Sequence, residues 1–192
     1  MNTWKKSTSA LLLLALLLSF SGCNTEATPS PEAQKLADEV RAAQQVTRDV
    51  LLTAEVVENT LQKAVVKITL ANPSLQKIAS VRSWLSFPTH ILQGADIELS
   101  KKNPIALVAP GEKEFDNTTG VAKLGFSFDS SLPPQAEVVL ATVTFEKLSA
   151  ETAALSFFDV RDEGHTQVLA EVEGKLWNVL DTKNLEAVFS LQ

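Results

Sequence analysis

The sequence predicts an all-β fold, a β-sandwich, for the main part of the 192-residue chain. From residue 49 onward, apolar and polar residues alternate with a period of two, which is the spacing of strands with one buried face. These runs are short and rich in Val, Ile, Leu and Thr, and turn-forming Asn, Pro, Gly and Asp residues separate them. Strands that alternate with helices would indicate a parallel sheet, and the sequence shows no such alternation. The length allows one such domain with segments added to it.

Residues 1–22 have the pattern of an export signal. Two lysines form a short basic region, Ala10 to Leu18 is an unbroken apolar run, and Ser21-Gly22 supplies the small residues at which a signal peptidase cuts. The apolar run is too short for a membrane-spanning helix, which needs about 20 residues. We therefore expect an exported protein with a soluble body.

The only cysteine, Cys23, follows this signal directly. The end of the signal resembles the bacterial lipobox, in which a small pair precedes an obligatory cysteine, although Phe20 stands where leucine is usual. The resemblance implies cleavage before Cys23 and acylation of its sulfur and amine, so that acyl chains anchor the protein to a membrane, each buried methylene contributing about 0.8 kcal/mol. The alternative is a secreted protein with a chance cysteine. We favour the lipoprotein, which places the chain in the cell envelope, outside the cytoplasmic membrane.

Residues 23–48 are predicted to form a lipid-anchored linker and a short stalk helix. The stretch from Asn24 to Pro31 is polar and contains prolines, which is typical of an extended linker. Ser30 is suited to be the N-cap of a helix with Pro31 at its first position. The apolar residues that follow at helical spacing are mainly alanines. A stalk or frayed linker is therefore favoured over a docking helix.

Residues 49–180 carry the predicted strands. One face of the second strand would consist of Ala64, Val66, Ile68 and Leu70. In the stretch SVRSWLSF, one face would hold Val81, Leu85 and Phe87, and the other Arg82, Trp84 and Ser86. The reversed register would put Trp84 in the core, where sandwiches often hold one tryptophan, so both placements stay open. Residues 181–192 form a C-terminal tail that packs on the sandwich, packs on a neighbouring molecule or is disordered.

Five stretches in this order resemble the cohesin domain, within the carbohydrate-binding-module-like sandwiches: VVKITLAN, WLSFPTHIL, DNTTGVAKLGFSF, LATVTF and AALSF. The usual Asp-Pro after the aromatic residue of the second stretch is replaced by Pro88-Thr89. The resemblance covers roughly residues 49–180 and implies a jelly-roll sandwich of about nine strands that binds rather than catalyses. Cohesins dock dockerin modules on one sheet face, and relatives bind polysaccharide.

The charge of the chain argues against nucleic acid as a partner. The net charge is −6, from 17 basic and 23 acidic residues, and removal of the two lysines of the signal leaves −8. Such a body repels polyanions. We therefore expect no nucleic-acid binding.

Catalysis is not expected either. A nucleophile needs a neighbouring base, usually histidine, and the chain has only His90 and His165, both in predicted loops. Sequence motifs of serine hydrolases, zinc proteases and phosphate loops are absent. Acylation of Cys23 would also remove the best nucleophile.

Two loops carry the oxygen ligands that calcium prefers. The first has Asp116 and Asn117, and the second has Asp159, Asp162 and Glu163. Neither has the spacing of an EF-hand, and Asp and Asn are also common in turns because they cap backbone amides. A calcium site is thus the minor interpretation and a solvated turn the favoured one.

The sequence leaves two kinds of binding module. The first docks a dockerin-like or other surface protein, with Arg82, Trp84 and Ser86 as the candidate face. The second binds polysaccharide, which usually needs exposed aromatic residues. The chain has no tyrosine and only two tryptophans after residue 22, Trp84 and Trp177. This scarcity favours protein docking.

Overall fold

The computed structural model describes residues 30–101, 105–161, 163–185 and 188–191. The chain divides into two compact units, residues 1–39 and 40–192. Helix α1 (Pro31–Gln45) begins as predicted, because the Ser30 hydroxyl accepts a hydrogen bond from the Ala33 amide at 3.2 Å. Within these residues, no helix has both the length and the apolar character that crossing a membrane requires.

The described residues form the predicted all-β sandwich. Its strands are β1 (Leu51–Asn59), β2 (Lys63–Ala71), β3 (Ile78–Arg82), β4 (Leu85–Ser86), β5 (Leu92–Leu99), β6 (Ile105–Asp116), β7 (Val121–Phe128), β8 (Glu137–Lys147), β9 (Ala153–Phe157), β10 (Gln167–Val172), β11 (Lys175–Asn178) and β12 (Val188–Leu191).

Two antiparallel sheets make the two layers. The smaller sheet has four strands in the order β1-β2-β8-β5. The larger sheet has eight, in the order β11-β10-β3-β7-β4-β9-β12, with β6 paired to β7. Strands β3 and β4 pair with the same neighbour, β7, and on their other side with β10 and β9 respectively. They are therefore two halves of one strand that is interrupted at Ser83 and Trp84.

The described residues contain twelve strands, whereas about nine were predicted, and the broken strand accounts for part of this difference. Each half of the broken strand has a partner of its own, and the loop 158–166 separates those partners, β9 and β10. In addition, β12 lies beyond residue 180, where the predicted sandwich ended, and it pairs with β9 in the register Val188 to Ser156. Four residues are too short a run to reveal a strand by alternation, so sequence reasoning assigned this segment to a tail.

The core lies between the inner faces of the two sheets and contains the predicted residues. Val81, Leu85 and Phe87 are buried, which decides between the two registers that the sequence left open. The predicted face of β2 is buried too: Ala64, Val66, Ile68 and Leu70. An aromatic cluster fills the centre, where the ring centroid of Phe145 lies 5.1 Å from Phe87 and 5.7 Å from Phe115. The core residues and those packed against them run from Val46 to Leu185, so a chain that begins at residue 24 retains the whole described sandwich.

Candidate functional site

The outer face of the eight-stranded sheet carries the three predicted face residues, Arg82, Trp84 and Ser86. All three are half-buried, whereas Val81 and Leu85 beside them point into the core. This settles the placement of Trp84 that the sequence left open: it lies outside the core, on a sheet face, partly covered by neighbours. We call this surface the Trp84 face and define it by Ser80, Arg82, Trp84, Ser86, Glu112, Glu114, Lys123, Ser127 and Gln167.

A bulge in strand β6 delivers Glu112 to the centre of this face. The pairing of β6 with β7 is interrupted between Val108 and Lys113, where the four intervening residues oppose Gly125 alone. Glu112 folds over Gly125, and a Cβ atom added to Gly125 would lie only 2.6 Å from Glu112 Oε2. Glycine is thus needed here for close approach, not for an unusual backbone angle.

Glu112 connects the two central side chains of the face. Its Oε2 accepts a hydrogen bond of 2.7 Å from Trp84 Nε1, and its Oε1 lies 3.0 Å from Arg82 Nε. The Glu112 side chain is only 13% exposed, whereas that of Arg82 is 39% exposed. A carboxylate shielded to this degree interacts more strongly with its partners than a fully solvated one does. The three side chains therefore form a fixed unit.

Lys123 borders the Trp84 ring on the next strand. Its Nζ lies 5.6 Å from the centroid of the indole, a cation–π distance, and 2.9 Å from Glu114 Oε1. The hydrogen bond that Lys123 donates to Glu114 raises the pKa of Lys123. The ammonium group is consequently charged at neutral pH and is held over the ring.

The loop 158–166 covers Trp84 from the other side. The Phe158 amide donates a hydrogen bond of 2.8 Å to the Trp84 carbonyl. The rings of His165 and Phe158 have their centroids 4.4 Å and 6.1 Å from the Trp84 ring. Thr166, whose hydroxyl hydrogen-bonds with the backbone of Trp84 and of Phe158, closes the loop against the strand break.

Asp159 organises this loop. Its backbone is left-handed, with φ of 51°, and its Oδ2 lies 2.7 Å from His165 Nδ1. Its Oδ1 lies 2.6 Å from Arg161 Nε. These partners, His165 first and then Arg161, lower the pKa of Asp159. The carboxylate therefore fixes the imidazole that packs on Trp84.

A depression lies beside Arg82 on the same face. It has a volume of about 230 Å³ and a mostly apolar lining. The residues that line it include two leucines, Leu107 and Leu169, and three polar residues, Arg82, Glu112 and Gln167. Its chemistry is thus an apolar trough with charged groups at one margin.

The first pair of calcium candidates, Asp116 and Asn117, lies in the turn between β6 and β7. Asp116 Oδ1 accepts hydrogen bonds of 3.0 Å from the amides of Thr118 and Thr119. The Thr119 side chain first, and then these amides, lower the pKa of Asp116. The Asn117 amide group bonds both backbone groups of Gly94, at 2.7 and 3.2 Å. Each side chain therefore has a structural role in this turn.

The second set of calcium candidates, Asp159, Asp162 and Glu163, does not join the first. Asp159 bonds His165 and Arg161, Glu163 is exposed, and Asp162 lies outside the described residues. In the part of the chain that the structure describes, no three His, Cys, Asp or Glu side chains come together in a group that could hold a metal ion.

The two histidines lie in loops, as predicted, and both are exposed. His165 has Asp159 as its hydrogen-bond partner, and among the described residues no hydroxyl group bonds its ring. Trp177 is half-buried in β11, and its Nε1 has no hydrogen-bond partner among the described residues. The signal 1–22, Cys23 and the linker up to residue 29 lie outside the described residues.

Sequence reasoning missed the side chains that contact the Trp84 ring: Glu112, Lys123, Phe158 and His165. Pro110-Gly111 within β6 is a signal for a bulge and could have directed attention to Glu112. The loop residues gave no comparable signal, because the hydrogen bond between Trp84 and Thr166 spans 82 positions.

Known protein sequences and known structures give different results for this chain. No protein-family model matches the chain, and no curated protein sequence matches it. A type II cohesin domain from the cellulosome of Acetivibrio cellulolyticus is similar in structure, with a TM-score of 0.49 and 11% identity, over 76% of this chain and 95% of that one.

Two further solved structures give similar values. The cohesin CaCohA2 from Clostridium acetobutylicum has a TM-score of 0.49 and 16% identity, over 75% of this chain and 90% of that one. A type I cohesin–dockerin complex from Clostridium thermocellum has a TM-score of 0.49 and 11% identity, over 73% and 96%.

Proposed function

We propose that the chain is a non-catalytic binding module, anchored to a bacterial membrane through acylated Cys23, that docks a protein partner on the Trp84 face. The observation that carries this proposal is the fixed unit of Trp84, Glu112 and Arg82 on an open sheet face. The resemblance of the sequence to cohesins makes a dockerin-like module the first partner to test.

The residue types of this unit are those that dominate protein–protein binding energy. Tryptophan and arginine are enriched among hot-spot residues, where truncation costs 2 kcal/mol or more. Here Glu112 bonds both Trp84 and Arg82, and the rings of loop 158–166 pack on Trp84. Both side chains are therefore already restrained. Docking would therefore cost less side-chain entropy than ordering free side chains would, about 0.5–1.5 kcal/mol each.

The charge of the face also suits a protein partner. The chain as a whole carries a net charge of −6. The Trp84 face, as defined above, has two basic and two acidic side chains, so its charges balance. The acidic excess that repels polyanions and favours solubility thus lies elsewhere on the chain, and the face itself is not repelled by an acidic surface.

The alternative, a carbohydrate-binding module, is less well supported by the geometry of Trp84. A pyranose stacks on a free aromatic face, whereas the Trp84 ring is in contact with His165 at 4.4 Å and lies under Lys123 at 5.6 Å. These contacts occupy ring surface that a sugar would need. We therefore propose a protein partner, and polysaccharide binding is the competing result that the experiment below can detect.

The experiment is capture from native cell envelopes by the chain from residue 24 onward, followed by purification of the captured protein and calorimetric titration. Trp84→Ala should weaken its binding by about 30-fold, the hot-spot value of 2 kcal/mol. The control is Lys67→Ala, on the outer face of the other sheet, which should leave the affinity unchanged. Saturable binding on a glycan array that Trp84→Ala removes would refute protein docking and support the alternative.

A further inference from the structure

We infer that the depression beside Arg82 takes an apolar side chain of leucine size from the docked protein, together with a carboxylate that binds the Arg82 guanidinium. This inference rests on the proposed function in that the occupant is part of the docked protein. It adds the chemical class of the group that the Trp84 face recognises.

The shape of the depression follows from the strand register. Four strands in the order β10-β3-β7-β6 place four side chains in one row across the sheet: Leu169, Ser80, Ser127 and Leu107. The two outer positions are large and apolar and the two inner positions are small. With strands about 4.8 Å apart, the two leucines stand about 14 Å from one another. The row is therefore a trough with leucine sides and a serine floor.

The trough has the size and polarity for an aliphatic side chain. Its volume of about 230 Å³ is far above the space for one water molecule, about 10–15 Å³. Leu107 is 65% exposed in the described structure, so an apolar group that covers it would remove apolar surface from water. Burial of such surface is favourable by about 25 cal/mol per Å². An apolar occupant is thus better suited to the leucine sides of the trough than a polar one.

The neighbouring row supplies the charge. Gln167, Arg82 and Gly125 are aligned across the sheet, and Glu112 covers Gly125. Arg82 reaches Glu112 through Nε, while its side chain remains 39% exposed. A guanidinium group has five N–H donors, so one carboxylate does not exhaust it. Both oxygens of Glu112 already have partners, Trp84 and Arg82. At this margin Arg82 is therefore the charged group that can donate further hydrogen bonds to a ligand. Its complement is an anion, and in proteins that is a carboxylate.

The test uses small probes and therefore needs no protein partner. The ¹⁵N-labelled chain from residue 24 onward is titrated with N-acetyl-leucine, N-acetyl-leucinamide and N-acetylglycine, and the amide shifts are followed by NMR. N-acetyl-leucine should shift the amides of Ser80 and Ser127. The leucinamide, which lacks the carboxylate, should bind about fivefold more weakly, as expected for one partly exposed ion pair. N-acetylglycine should bind too weakly to measure.

Two variants examine the two halves of the inference separately. Ser127→Leu fills the floor and should abolish the shifts. Arg82→Gln should make N-acetyl-leucine and its amide bind equally. Thr142→Leu, an outward position of the other sheet, is the control and should change nothing. Shifts located elsewhere, or equal binding of acid and amide to the unaltered chain, would overturn the inference.

The result is separable from that of the capture experiment. If N-acetyl-leucine binds in the trough but no envelope protein is captured, the proposed function fails and the protein as occupant fails with it. If a protein binds in a manner sensitive to Trp84→Ala but no probe enters the trough, the proposed function stands and this inference is rejected.

Discussion

Replacement of Glu112 by alanine tests the site at its centre. The change removes the acceptor of the Trp84 Nε1 hydrogen bond, at 2.7 Å, and the partner of Arg82, at 3.0 Å. Both contacts converge on one carboxylate that is 13% exposed. The indole N–H and the guanidinium group would lose this partner together.

The magnitude follows from these contacts. A hydrogen bond to a charged group contributes about 1.5–3 kcal/mol, and an ion pair with a partly exposed partner contributes less than about 1 kcal/mol. Because water can reach Arg82 after the change, we expect a total loss of about 2 kcal/mol in the free energy of unfolding. Glu112→Gln keeps an acceptor for Trp84 and should lose about half as much.

The assay is urea unfolding followed by circular dichroism, with Glu114→Ala as the matched control. Glu114 lies on the same strand, but its side chain is 51% exposed and pairs only with Lys123 among the described residues. Its replacement should cost less than about 0.5 kcal/mol. If the two alanine variants lose the same stability, Glu112 does not hold the site together and the reasoning is refuted.

Three further predictions follow from other parts of the chain. Gly94→Ala places a Cβ 2.0 Å from Phe115 Cδ1 in the packed ring cluster, and should lower the free energy of unfolding by about 2 kcal/mol in the same urea assay. Asp159 has a pKa below its ordinary 3.8, chiefly through His165, so its pairing stabilises the fold above that pH and is lost as the pH falls through the lowered pKa. Asp159→Asn should therefore be less stable than the unaltered chain at pH 7, and the difference should shrink below pH 4; a constant difference would contradict this. Cys23→Ser should abolish the incorporation of labelled palmitate in cells, and retained label would exclude lipidation at this residue.

The fold was predictable because its main signals are local. Alternation in β2 identified its buried face, and the serine before Pro31 marked the start of α1. In residues 81–87 alternation separated two faces but left open which of them is buried. The strand break at Ser83 and Trp84 was not predictable, because it depends on Thr166 and Phe158, which come from the far end of the chain.

The candidate site was predictable only on the strand that the alternation described. Arg82, Trp84 and Ser86 were assigned to one face, whose exposure the sequence left open, and they lie on the outer face of the sheet. Their most important partner, Glu112, arrives through a bulge, and a bulge changes which residues face the same way. The acidic loops were interpreted as possible calcium ligands because Asp and Asn are suited equally to metals and to turns. In the first of these loops, the side-chain oxygens of Asp116 and Asn117 accept hydrogen bonds from backbone amides of the protein itself.

The central claim is that a protein docks on the Trp84 face, and site-specific photocrosslinking in intact cells tests it most directly. A photoreactive amino acid at the position of Gln167, on this face, should yield a single discrete crosslinked protein. The same amino acid at the position of Thr142, on the outer face of the other sheet, should yield none. A crosslinked protein from the Thr142 position alone, or crosslinks from the Gln167 position to polysaccharide only, would contradict the account.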